Sequence, residues 1–114
     1  AEKGMQRFEA LAAALAAVIQ GHQSAVAAAT DWRPVGALET TRLMQQLAIQ
    51  LMRGATDPRQ RLSGHPALEG LQTLLDSARL ARIQGDLLPL REAAEQPLSR
   101  ELSIEALFLT WRRP

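Results

Sequence analysis

Two histidines, His22 and His65, are the residues of this 114-residue sequence best suited by type to hold a metal or move a proton near neutral pH. Both fall at helix boundaries by pattern, and neither has a second His at the three- or four-residue spacing that puts two ligands on one helix face. They read as exposed or capping histidines. Glu92 with Glu95 and Glu101 with Glu105 share helix faces, as a paired acid and base would. Arg91 and Arg100 stand beside them in polar surroundings, which points to solvated charge. Ser63, Ser77 and Ser99 lack the nucleophile-elbow pattern and suit turn or capping roles. The single Gly-Lys context, Lys3-Gly4, runs in the reverse order of a phosphate loop's ending. No catalytic residue, cofactor site or metal site is expected.

Twelve of the thirteen bases are Arg, against twelve acids, for a net charge of +1. Such a balance gives no bulk attraction to nucleic acid or to an acidic membrane. The local candidates are Arg53, Arg59 and Arg61, with Asp57 among them, and the dipeptide Arg112-Arg113. A phosphate-reading surface needs more converging bases and aromatic or polar readers, so direct nucleic-acid contact is not expected.

The elements that position these residues are helices. Ala and Leu supply 20 and 19 residues, Val and Ile together seven, and Tyr none, which favours helix over sheet. Cys is absent, so thiol chemistry and disulfides are excluded within the chain, in keeping with a cytoplasmic protein. The longest apolar run, Phe8 to Ile19, contains Glu9 and falls short of the roughly 20 residues of a membrane span. The chain starts Ala1-Glu2-Lys3-Gly4 without Met and is expected to be a piece of a longer protein, forming one domain over 1–114.

Met5, Phe8, Leu11, Leu15, Val18 and Ile19 recur at helical steps and predict a helix from about Gly4 to Gln20, ended by a left-handed Gly21. A short Ala-rich helix is expected from about Ser24 to Asp31. Trp32, at a helix junction, is expected in the core. Pro34 should hold Arg33 extended and can open the next helix. In that helix Leu43, Leu47 and Leu51 form one row, Met44, Ala48 and Met52 the next, with Gly54 as the stop. Residues 55–65 read as a connection. Pro66 opens a helix carrying Leu68, Leu71, Leu74 and Leu75; Asp76 or Ser77 caps the following one, with Leu80, Ile83, Leu87 and Leu90 inward. Pro89 either kinks that helix or follows a break at Gly85, the kink being favoured. The last helix begins after Pro97, with Ser99 as its cap and Glu101 in its first turn. It is apolar on more than one side, so it is central to the bundle or packed on a partner. Phe108 and Trp111 are the candidate interface residues, Trp111 being equally suited to the core. The fold class is an all-α bundle of five to seven helices.

The segment Arg79-Leu80-Ala81-Arg82-Ile83-Gln84-Gly85-Asp86 leads into Leu90-Arg91-Glu92, and Ser99-Arg100-Glu101-Leu102 into Glu105-Ala106-Leu107-Phe108-Leu109. From about Trp32 onward this resembles the ending of delta-prime subunits of the bacterial DNA polymerase III clamp loader. Ser99 stands where relatives often carry Asn, another capping residue. The resemblance implies a non-catalytic C-terminal collar domain, supporting sliding-clamp loading in DNA replication by packing with the collar domains of gamma/tau and delta. No family catalytic or nucleotide-binding residue maps onto the chain. The alternatives are a helical nucleic-acid-binding domain, or an accessory helical domain of an unrelated enzyme.

Overall fold

In a computed structural model the described residues are 2–61, 64–96 and 100–114, with side chains described over 5–61, 64–96 and 104–114. They form six α-helices: α1 (Glu2–Ile19), α2 (Ala25–Trp32), α3 (Ala37–Thr56), α4 (Pro66–Leu74), α5 (Ser77–Ala94) and α6 (Arg100–Arg112), with a 3-10 turn at Pro58–Gln60. No strand occurs among the described residues. This is the all-α bundle that composition and periodicity predict.

Local chemistry sets most of the boundaries. Gly21, at φ 79°, ends α1 in the left-handed region, and the His22 N–H donates back to the Ala17 carbonyl at 2.8 Å. Ser24 Oγ accepts from the Ala27 N–H at 3.0 Å, and Asp76 Oδ1 from the Arg79 N–H at 2.7 Å, capping α2 and α5. Pro66 sits in the first turn of α4, where its missing N–H costs nothing.

Three boundaries differ from expectation. Arg33 is not extended: it takes helical angles (φ −55°, ψ −41°) as the C-cap of α2. Pro34 does not open α3, because the Val35 and Gly36 N–H groups fold back onto the Trp32 carbonyl; Gly36, at φ 92°, then redirects the chain into Ala37. Gly54 does not stop α3, which continues to Thr56. A Cβ at Gly54 would collide with Gln72 Oε1, so close approach of α4 explains this glycine.

Pro89 lies inside an unbroken α5. Its ring removes the bond to the Gly85 carbonyl, but both residues are exposed, and water can satisfy that carbonyl. The proposed Ser99 cap and the side chain of Glu101 lie outside the described residues.

The apolar rows meet in one core. Leu11, Leu15 and Val18 of α1, Met44, Leu47 and Leu51 of α3, and Leu80, Ile83 and Leu87 of α5 are buried. Each such side chain contributes about 1.5–3 kcal/mol relative to exposure. α3 packs mainly on α5, and α1 on α4. α6 touches α1, α2, α3 and α5. The small Ala25 and Ala28 of α2, both buried, let that helix come close to it.

Candidate functional site

Among the described residues, those singled out for chemistry do not converge. His22 is exposed after α1. His65 is half-buried, and its Nδ1 donates to Glu9 Oε1, a carboxylate 56 residues away. Glu69, four residues after His65, is exposed and takes no part. Glu92 and Glu95 are exposed near the end of α5, while neighbouring Arg91 donates to Gln45 Oε1 at 3.1 Å. Ser77 starts α5, and Ser63 lies outside the described residues. Among the described residues no three His, Asp or Glu side chains gather as a metal site requires.

The arginines after α3 are mostly held by their own chain. Arg59 pairs with Asp57 at 3.3 Å, and Arg61 Nε donates to the Gly54 carbonyl at 3.1 Å; Arg53 is exposed. Beside them, Gln72 Nε2 donates to the Leu51 carbonyl at 2.9 Å. Arg61 and Gln72 line a hollow of about 250 Å³ between α3 and α4, with Leu51 and Leu68 as its apolar wall. Arg61 thus meets the Gly54 carbonyl, in the last turn of α3, whose helical partner position is Pro58 with no N–H to offer.

The most developed polar arrangement joins α5 to the end of α6. Arg79 Nη2 donates to the carbonyls of Trp111 and Arg112, each at 2.9 Å. Arg82 Nη2 donates to those of Thr110 at 3.0 Å and Arg113 at 2.8 Å, while its Nη1 donates to Asp86 at 2.8 Å. The last three carbonyls of α6, which have no helical partners, and that of Arg113 just beyond it are therefore met by two guanidinium groups. Positive charge also complements the negative end of the helix. The stretch Arg79 to Asp86 and the last turns of α6 are thereby one unit. Sequence reasoning picked out that stretch without assigning this role; the available signal was Arg79 and Arg82 one turn apart, with Asp86 four residues after Arg82.

Phe108 and Trp111, expected at a subunit interface, lie elsewhere. Both are 0 % exposed within this chain. The apolarity of α6 on several sides is accounted for by its four neighbouring helices. Neither side chain reaches a partner while the bundle is closed. Trp32 is buried, at the junction where the core was expected.

The open surface of this unit is a groove between α5 and α6. Asp86, Pro89 and Leu90 form one wall and Ala106, Leu109, Thr110 and Arg113 the other, around about 250 Å³. A second hollow of about 310 Å³ continues past Leu109 along Arg112, Arg113 and Pro114. Among the described residues no helix is long and apolar enough to cross a membrane. No protein-family model, curated protein or solved structure matches this chain.

Proposed function

We propose that this chain is a non-catalytic assembly domain of a bacterial DNA polymerase III clamp loader, a delta-prime-like collar domain. In this reading it packs with the collar domains of gamma/tau and delta and contributes to sliding-clamp loading in the cytoplasm. The single observation that carries the reading is the union of Arg79, Arg82 and Asp86 with the end of α6. That union ties the Arg79–Asp86 stretch, part of what the resemblance rests on, to the end of α6. An all-helical fold supports the same reading. A bundle of this kind implies no function by itself, so the resemblance supplies the partner identity.

The test is incorporation. The chain is mixed with purified gamma/tau and delta collar domains and passed over a sizing column at tens of micromolar, a concentration that allows for the avidity missing from an isolated domain. Co-elution is expected. A folded chain that elutes alone in every mixture would refute the proposal.

A further inference from the structure

The end of α6 carries an unusual charge for a helix C-terminus. Such an end ordinarily presents a partial negative charge of about half a unit. Here the guanidiniums of Arg79 and Arg82 cover the last three carbonyls of α6 and that of Arg113, and among the described residues one carboxylate, Asp86, pairs with these guanidiniums. Arg112 and Arg113 are exposed beyond the clasp, and neither guanidinium has a partner among the described residues. The helix end is therefore a positive pole, and the α5–α6 groove opens beside it with Pro89, Leu90, Ala106 and Leu109 as its apolar lining.

We infer that this groove binds an acidic amphipathic helix of a partner protein, whose apolar stripe enters between Pro89 and Leu109 while its flanking carboxylates meet Arg112 and Arg113. The lining holds no aromatic side chain and so no platform for bases, its one carboxylate, Asp86, is already paired with Arg82, and two free guanidiniums are few for a phosphate backbone. An apolar stripe with carboxylates on its flank matches both features. This goes beyond the assembly reading by naming a surface and its partner's chemistry.

The test is a titration of the isotopically labelled chain, followed by amide chemical shifts. The probe is a synthetic helix with Leu at three- and four-residue steps and Glu elsewhere. Saturable shifts centred on Asp86, Leu90, Ala106, Leu109, Thr110, Arg112 and Arg113 are expected. The R112E/R113E variant, whose changes are at exposed positions, should lose about tenfold in affinity, and wild-type binding should weaken from about 50 to about 300 mM salt. P89E, also exposed, should weaken binding, whereas L88E, on α5 but outside the groove, should not. The inference is overturned by no saturable shift, by shifts centred elsewhere, by equal binding of the Lys-for-Glu probe, by unchanged affinity in R112E/R113E, or by an oligonucleotide or a second copy of the chain occupying the groove more tightly. Peptide and collar domains together separate the two proposals. Collar domains that bind while the peptide fails leave the assembly reading standing and remove the groove; a groove that binds the peptide while collar domains fail to bind removes the assembly reading alone.

Discussion

Arg79 and Trp111, 32 residues apart, are joined by a hydrogen bond from the Arg79 guanidinium to the Trp111 backbone carbonyl at 2.9 Å. The indole of that same Trp111 is wholly buried. The bond therefore fixes the backbone at the point where the core's largest side chain enters, and Arg82 repeats the arrangement one turn on. Removing either arginine should loosen the end of α6. R79A and R82A are each expected to lose about 1–3 kcal/mol in urea unfolding, as for bonds with one charged partner. R82K should recover little, because one ammonium cannot span Asp86 and two carbonyls as the planar fork does. Losses below about 0.3 kcal/mol would show the clasp to be incidental.

Core placement of Phe108 and Trp111 has a measurable cost. F108A and W111A should each destabilise the chain by about 3–5 kcal/mol, enough to unfold a marginal domain. Tryptophan emission of the folded chain should be blue-shifted and poorly quenched by iodide, since Trp32 is also buried. Easily quenched emission together with well-folded alanine variants would return both residues to the surface.

Glycine replacements should differ by position. Gly70 and Gly85 have open space around a new Cβ, so G70A and G85A should stabilise by about 0.5–1 kcal/mol. G54A should gain nothing, because its methyl displaces the Gln72 amide from the Leu51 carbonyl, a bond of similar worth. In a Q72A background the same substitution should become stabilising. A gain from G54A alone equal to that of G70A would contradict the close approach.

Pro89 is the remaining local misfit. P89A restores a donor for Gly85 at an exposed site and should raise stability by about 1–3 kcal/mol in thermal or urea unfolding. No change would mean that the helix does not run through residue 89.

The parts legible from sequence are those decided within a few residues. The rows of α3 and α5, the caps at Ser24 and Asp76, the left-handed Gly21 and the start at Pro66 follow from local spacing and hydrogen bonding. Gly54 resembled a stop because glycine ends helices, whereas its reason here is Gln72, which is remote in sequence. The clasp spans 28 to 33 residues and the His65–Glu9 contact 56, distances at which periodicity carries no information. The number of neighbours around α6 is likewise a tertiary property, which is why its apolarity could be assigned equally to a core or to a partner.

Sedimentation velocity of the folded chain with gamma/tau and delta collar domains, alone and together at about 50 µM, tests the assembly reading most directly. The account predicts a faster-sedimenting species that contains this chain and grows with concentration. Unchanged monomer boundaries in every mixture, with the chain's helical signal intact, would contradict it.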